Sequence, residues 1–206
     1  MEPSQPSACV VLLNGFPGTG KLAVARALRS KLGSTNTRLV DNHLIIDPAE
    51  AAHPGRGNEH KALRDVIRRT VFQDLKQLPE HVTTIVLTGC LGQNSEDVAV
   101  YAEHVEIAQA RGVPFILFTL TVEKSEHLLR LRSPDRVYGQ KTKLNDPAVL
   151  ETMMTNTTIL NPTIVVNKGS DVDFRAIRHH LIDTTGLTVS ESTDRVLGII
   201  APQSYV

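Results

Sequence analysis

The feature that most constrains this chain is a glycine-rich segment between an apolar run and an amphipathic helix. Residues 15–22 read G-F-P-G-T-G-K-L, and we call them the glycine loop. They follow the apolar run 9–14 (CVVLLN), which is typical of a strand buried on both faces. The next stretch, 21–32, has apolar residues at helical spacing and ends before Gly33. A strand, a tight loop and a helix in this order predict an α/β fold.

The glycine loop also predicts a cradle for phosphate groups. Glycines allow successive backbone N–H groups to turn inward, and the start of a helix adds its positive end. Lys21 completes the pattern G-x-x-x-x-G-K and supplies a point charge for the outer phosphates. We therefore expect ATP or GTP to bind on the residues Gly15, Pro17, Gly18, Thr19, Gly20, Lys21, Leu22 and Ala23.

One position of the glycine loop departs from the usual pattern. The Ser or Thr that normally follows the lysine, and binds Mg²⁺ through its hydroxyl, is replaced by Leu22, and Ala23 comes next. Neither side chain can ligate a cation. The third predicted strand also ends without a carboxylate, in Thr88-Gly89-Cys90. Any Mg²⁺ must therefore be held by phosphates, water and another side chain, and its ligands stay open.

Apolar runs and helical patterns alternate along the rest of the chain. Further strands are predicted at 37–42, 82–88, 113–122 and 162–166. Helices are predicted at 63–78, 95–112 and 123–132. A further helix is predicted to begin at Pro147, with Asp146 as its cap, and a last one runs from Ser170 or Asp171 to Gly186. Residues 48–60 are predicted as a loop, and no structure is assigned to a C-terminal tail, 188–206. The result is a three-layer α/β sandwich with a five-stranded, mostly parallel sheet in a single domain, 1–187.

Composition narrows the possible partners. Lys plus Arg and Asp plus Glu number 22 each, so the net charge is zero and generic binding to nucleic acid or to an anionic membrane is not expected. The two cysteines, Cys9 and Cys90, lie in apolar runs and are predicted to be buried and reduced. The first eight residues do not resemble a signal peptide, and no stretch has the length of a membrane span. We expect a cytoplasmic protein.

Asp41 is the candidate acid. It ends the second predicted strand in L-V-D-N-H, at the carboxyl edge of the sheet where open α/β folds bind ligands. A carboxylate there can accept the proton of a substrate hydroxyl or hold water-bound Mg²⁺. The alternative is a turn-forming residue, because Asp-Asn pairs favour turns. His43 is a weaker candidate beside it.

A basic segment follows the fourth predicted strand. Between Arg130 and Lys143 there are five basic residues and one acid. One interpretation is a solvated basic face. The other is a lid, at about 133–145, in which Arg132 and Arg136 close over the transferring phosphate. By contrast, the arginines of the long helix lie off its apolar stripe and are predicted to face solvent; they are Arg64, Arg68 and Arg69.

With these motifs in view, the chain resembles the small P-loop kinase-like proteins, which include adenylate kinase, shikimate kinase, gluconate kinase and chloramphenicol phosphotransferase. More narrowly, it is similar to an AAA-type or kinase-like P-loop family of bacteria and fungi. The resemblance rests on GFPGTGKL (15–22), DNHLIIDP (41–48) and RSPDRVYGQKTKLNDP (132–147), and it covers about 9–186. It implies a five-stranded parallel sheet with a lid.

The resemblance also implies roles for particular residues. Arg132 and Arg136 would contact the nucleobase and the phosphates, and a segment after the fifth strand, containing Asn167 and Gly169, would pass the base. Asp41 would bind the acceptor or act as the base. We therefore expect a kinase that phosphorylates a small hydroxylated or phosphorylated metabolite, with Lys21, Asp41, Arg132 and Arg136 as catalytic residues. The alternatives are a non-catalytic nucleotide-binding or regulatory protein, which the loss of the hydroxyl favours, and a simple NTPase.

Overall fold

A five-stranded parallel sheet organises the molecule. The computed structural model describes residues 8–133, 144–164 and 177–200. The strands are β1 (Cys9–Asn14), β2 (Thr37–Val40), β3 (Thr84–Thr88), β4 (Phe115–Thr121) and β5 (Arg178–Asp183). Their order is β2-β3-β1-β4-β5, and every neighbouring pair is parallel. This confirms the predicted fold class and places the carboxyl ends of all five strands at one edge.

Helices cover both faces of the sheet. They are α1 (Lys21–Leu32), α2 (His43–Ala52), α3 (Asn58–Lys76), α4 (Ser95–Arg111), α5 (Lys124–Leu131), α6 (Pro147–Asn156) and α7 (Val189–Ile200). Alternate residues of β1 enter two separate cores, because successive side chains of a strand point to opposite faces. Val10 and Leu12 pack in the core that includes Phe72 of α3, whereas Val11 and Leu13 pack in the one that includes Leu28 of α1.

The fifth strand is not where the sequence pattern predicts it. Instead of a strand at 162–166, Pro162–Ile164 forms a 3₁₀ turn, and β5 lies within the stretch predicted as the last helix. The predicted helix took Phe174, Ile177 and Leu181 as one face. In β5, however, Leu181 is exposed and Ile182 is buried, which is the period of a strand. These residues form a strand because they pair in parallel with β4.

Other local differences concern helices. The predicted loop 48–60 begins inside α2, which continues through Pro48 to Ala52 because Ile45 and Ala49, four residues apart, are both buried. The N-cap of α4 is Asn94, whose side chain accepts from the Asp97 N–H, and not Ser95. Within the segment left unassigned, α7 packs against α1.

Arg68, predicted to face solvent, is buried. Its Nε donates to Glu103 of α4 at 2.7 Å, and its Nη1 donates to Asp65 at 2.7 Å. The helix pattern does not show this because Glu103 comes from a different helix. The prediction of a solvated face is wrong for Arg68, whereas Arg69 is exposed as predicted.

Buried His104 makes folding stability depend on pH. Its Nδ1 donates to the Val100 carbonyl at 2.7 Å, and its ring packs edge-on against Phe72. Burial lowers the pKa of His104 to about 4. Between pH 6.5 and pH 4 the unfolded chain binds the proton and the folded chain does not, so stability falls as pH falls through this window. From pH 7 to pH 5 we expect a loss of about 2 kcal/mol from this residue.

Urea unfolding at the two pH values checks this expectation. His104→Leu removes the titration and should make the loss between pH 7 and pH 5 smaller by the same amount. His81→Leu, at an exposed position, is the matched control and should keep the wild-type loss. An unchanged pH dependence in His104→Leu would contradict the prediction.

Candidate functional site

The glycine loop connects β1 to α1 in a conformation that requires glycine. Gly15 has φ 145° and Gly18 has φ 99°, both in the region that L side chains rarely adopt. A Cβ on Gly15 would lie 2.5 Å from the Leu120 carbonyl oxygen of β4. Helix α1 then begins at Lys21, and its N-cap residue, Gly20, has no side chain that could accept from the first N–H groups of the helix. Such a terminus is suited to an anion.

Lys21 lies back on its own loop. Its Nζ donates to the carbonyl oxygens of Gly15 and Phe16, each at 2.7 Å. The Phe16 carbonyl also accepts from the buried Thr19 hydroxyl at 3.0 Å. The ammonium is thus held against the glycine loop. Phosphate oxygens could replace the two carbonyls as its hydrogen-bond acceptors without a change of backbone.

Helix α5 contacts the glycine loop through a hydrogen bond to its backbone. Nε2 of the buried His127 donates to the Pro17 carbonyl at 2.7 Å, which fixes the proton on that nitrogen. A Cβ on Gly18 would lie 3.0 Å from the His127 ring. Three residues on, Arg130 donates to the Thr184 carbonyl at 2.7 Å and pairs with Glu126. Nothing in the sequence pattern distinguishes His127, because its partner is 110 residues away.

The His127 contact predicts an effect on nucleotide affinity. His127→Ala removes the donor to the Pro17 carbonyl, so the loop loses one of the contacts that fix its shape. We expect nucleotide to bind about 10-fold more weakly in calorimetry, which corresponds to one such hydrogen bond. His127→Gln, whose amide can reach the same carbonyl, should recover most of the affinity. Leu129→Ala, exposed on the same helix, is the control and should bind as wild type; equal binding by His127→Ala would refute the contact's role.

Asp41 is held at the carboxyl edge of the sheet. It follows β2 directly, is buried, and accepts from the hydroxyl of Thr88, the last residue of β3, at 2.8 Å. The same hydroxyl accepts from the Asn42 N–H at 3.0 Å. Thr88 therefore orients the carboxylate from the strand that itself ends without an acid. His43, by contrast, pairs within α2 through Nδ1 and Asp47 at 2.9 Å.

A single cleft of about 830 Å³ contains both Lys21 and Asp41. The glycine loop forms one wall, and the ends of β2 and β3 form another. Beyond the loop, the cleft is also lined by Arg130 of α5 and by residues of the segment 184–188 that follows β5. The volume is in the range of small-molecule sites. The structure thus brings together the predicted phosphate cradle and the predicted acid.

The other predicted site residues are placed differently. Arg132 ends α5 at an exposed position and is not among the described residues that line the cleft. Arg136 and most of the predicted lid lie outside the described residues, as do Asn167 and Gly169. Because β5 is Arg178–Asp183, the segment that follows the fifth strand is 184–188 and not the one containing Asn167.

Arg64 is a cleft residue that the sequence pattern misses. It lies one turn before Arg68 on α3 and lines the cleft beside Thr88 and Gly89. Its Nε is buried, and no described residue hydrogen-bonds to it. The four-residue spacing of Arg64 and Arg68 could have indicated a shared environment, since it puts both arginines on one helix face.

The side chains of the cleft supply only part of the oxygen ligands that a magnesium ion needs. Leu22 and Ala23 offer no side-chain oxygen at the start of α1, as the sequence indicates. In the described part of the chain, no three His, Cys, Asp or Glu side chains come together as a metal site. Asp41 is the carboxylate at the strand ends, and phosphate oxygens and water would complete the coordination that Mg²⁺ prefers.

Comparison with known proteins agrees with this architecture. Residues 11–146, well over half of the chain, match the model of a protein family described as an AAA domain. The curated protein CD-NTase-associated protein 6 of Pseudomonas aeruginosa is 24% identical over 123 residues, which make up 58% of this chain. The match spans 39% of that relative's length.

Three solved kinases have the same fold. Shikimate kinase from Acinetobacter baumannii superposes with a TM-score of 0.56 at 16% identity, covering 98% of this chain and 97% of that one. Thymidylate kinase from Candida albicans gives 0.54 at 16%, covering 95% and 91%. APS kinase from Mycobacterium tuberculosis, in complex with AMPPNP and APS, gives 0.53 at 16%, covering 94% and 98%. None of the helices in the described ranges has the length and apolarity to cross a membrane.

Proposed function

The chain belongs to the AAA domain family, and we propose that it is a nucleotide-dependent phosphotransferase that acts on a small hydroxylated or phosphorylated metabolite. One observation carries the proposal. The phosphate cradle and an oriented carboxylate open into the same cleft, which is large enough for a nucleotide and an acceptor together. We also propose that the protein acts in the cytoplasm and does not bind nucleic acid.

In the proposed reaction, ATP or GTP binds with its phosphates on the glycine loop and the first N–H groups of α1. Lys21 leaves the Gly15 and Phe16 carbonyls and neutralises charge on the outer phosphates. Asp41 receives the proton of the acceptor hydroxyl as that oxygen attacks the γ-phosphorus and the bond to the β-phosphate oxygen breaks. Mg²⁺, when bound, would neutralise part of the phosphate charge. Arg132 and Arg136 remain part of the proposal as lid residues over the transferring group.

A specific observation supports a second candidate, a nucleotide-binding protein without catalysis. Leu22 and Ala23 remove the hydroxyl through which such loops bind Mg²⁺. The curated relative is described as an associated protein, which is compatible with a role in an assembly. A simple NTPase is a third candidate and needs only water as the acceptor.

Turnover measurements separate the three candidates. Purified protein is incubated with ATP or GTP, with and without Mg²⁺, and with a panel of hydroxylated and phosphorylated acceptors. The panel contains sugars, sugar phosphates, hydroxy acids, nucleosides and nucleoside monophosphates, and the ADP or GDP formed is quantified. A phosphotransferase gives acceptor-dependent nucleoside diphosphate and a phosphorylated acceptor. Equal release of inorganic phosphate without any acceptor would favour the NTPase. Nucleotide binding without turnover of any compound on the panel would overturn the proposed phosphotransferase activity and favour the non-catalytic candidate.

A further inference from the structure

Helix α6 presents an apolar face to the cleft, and the proposed reaction gives this face no role. Val149 and Met153, four residues apart on one side of the helix, both line the cleft. The charged residue of α6, Glu151, pairs with Lys124 of α5 at 2.9 Å and is not among the described residues that line the cleft. Among the described residues, the wall that α6 contributes to the cleft is therefore apolar.

The C-terminal end of α6 is fixed beside the end of β3. Thr157, the residue that ends the helix, donates its N–H to the Met153 carbonyl at 2.8 Å. A Cβ on Gly92 would lie 2.7 Å from the methyl carbon of Thr157, so the two segments leave no room for a larger residue there. The Leu160 N–H also donates to the Leu91 carbonyl at 3.0 Å. Met153 thus lies one helical turn from a residue that packs on the segment following β3.

This position associates the α6 wall with the acceptor's part of the cleft. In the strand order β2-β3-β1-β4-β5, the ends of β2 and β3 lie on one side of the glycine loop and the end of β5 lies on the other. Asp41 follows β2 and accepts from Thr88 at the end of β3, so the acceptor hydroxyl of the proposed reaction belongs on the β3 side. The contacts of α6 with the segment after β3 place its apolar face on that side too.

Apolar side chains from two other helices also line the cleft. Ile46 lies little more than one turn of α2 beyond Asp41, and its N–H donates to the Asn42 carbonyl at 3.0 Å. Leu22 lines the cleft from the start of α1, where the usual hydroxyl is missing. Val149 is 45% exposed. Apolar side chains that line a cleft and remain exposed to water favour a ligand whose apolar part covers them.

We propose that Ile46, Val149 and Met153 form an apolar subsite for the acceptor, so that the acceptor is a hydroxyl compound with an aromatic ring or an aliphatic chain. This inference rests on the proposed function and narrows its substrate class. Each CH₂ group that moves from water into such a subsite strengthens binding about fourfold. A polyol is disfavoured there, because its hydroxyls would lose water without gaining hydrogen bonds. An acceptor whose apolar part packs on these side chains directs its hydroxyl to Asp41.

NMR of the methionine methyl groups tests the subsite in the full chain. Met154, next to Met153, is 37% exposed and is not among the described residues that line the cleft, so it is an internal control. The protein is saturated with AMPPNP and titrated with phenethyl alcohol, hexanol or ethanol, and Met154→Leu assigns the two signals. We expect phenethyl alcohol or hexanol to shift the Met153 signal saturably and to leave the Met154 signal in place. Ethanol should need an at least 10-fold higher concentration.

A substitution at the cleft-facing valine adds a second, independent measurement. Val149→Asn replaces an exposed apolar side chain by an amide of similar size, so it should weaken binding of the apolar alcohol at least fivefold without unfolding the protein. Val66→Asn makes the same change at an exposed position of α3 and should bind as wild type. Thermal unfolding of both variants verifies that they are folded.

The subsite is refuted if neither apolar alcohol shifts the Met153 signal, if ethanol does so at the same concentrations, or if Val149→Asn binds as wild type. It is also refuted if AMPPNP displaces the alcohols, because the apolar side chains then contact the nucleotide. If wild type does not bind AMPPNP, the proposed function fails, and the titration without nucleotide still decides whether the subsite exists. If the apolar alcohols bind as expected but no hydroxyl compound, apolar or polar, is phosphorylated, the subsite stands and the proposed phosphotransferase activity fails.

Discussion

Lys21→Ala is expected to abolish measurable nucleotide binding while the protein stays folded. In a triphosphate complex the ammonium would contact several phosphate oxygens, and each charge-assisted hydrogen bond contributes about 1.5–3 kcal/mol. Loss of two such contacts weakens binding by about 100-fold or more. The side chain is only partly buried and donates to two loop carbonyls, so its removal should change the free energy of unfolding little.

Calorimetry and thermal-shift titration with ATP and GTP measure this effect. Wild type should be stabilised by the nucleotide that it binds, and Lys21→Ala should show no shift at the same concentration. Arg29→Ala removes a positive charge from an exposed position of the same helix and is the matched control. A wild type that no nucleotide stabilises, or a Lys21→Ala protein that binds as tightly as Arg29→Ala, would refute the phosphate cradle.

The parts of the fold that the sequence predicts are those set by neighbouring residues. β1, the glycine loop and α1 form one continuous stretch, and each has its own local signal in apolar run, glycine content and helical spacing. β5 has no such signal, because it lies at the edge of the sheet and its identity depends on pairing with β4. α7 is likewise stabilised by packing against α1, some 160 residues earlier in the chain.

The residues of the candidate site also fall into those that a local sequence signal predicts and those that depend on distant contacts. Lys21 and Asp41 are predictable because each follows a strand, and the ends of parallel strands share one edge of the sheet. His127 is not, since its importance comes from the Pro17 carbonyl on a distant segment. Whether an arginine of α3 faces solvent depends on what α4 and the strand ends place beside it, as the burial of Arg68 against Glu103 shows. Helical periodicity contains no information about that neighbour.

Asp41→Asn is expected to reduce acceptor-dependent turnover by about 10²–10⁴-fold, the usual contribution of a positioned general base. The amide oxygen can still accept from Thr88, so the local structure is retained while basicity and charge are lost. Nucleotide affinity should change only a few-fold, because the cradle lies on the glycine loop. Steady-state kinetics with the acceptor found in the panel, together with calorimetry for the nucleotide, measure both quantities.

Two further variants define what Asp41 does. Asp74→Asn, at an exposed position of α3, is the matched control and should turn over as wild type. Thr88→Val removes the hydroxyl that orients the carboxylate, so its loss should be smaller than that of Asp41→Asn, and the double variant should lose no more than Asp41→Asn alone. Additive losses would show that Thr88 acts independently of Asp41.

Magnesium dependence then separates the two roles that a carboxylate can have at this edge. If Asp41 is the base, Asp41→Asn lowers kcat even at saturating Mg²⁺. If Asp41 instead holds water bound to the metal, the variant needs more Mg²⁺ for half-maximal rate and recovers kcat when that concentration is reached. Because Leu22 and Ala23 provide no ligand, the second outcome would make Asp41 the protein's substitute for the missing hydroxyl. Wild-type turnover by Asp41→Asn at every Mg²⁺ concentration would exclude both roles.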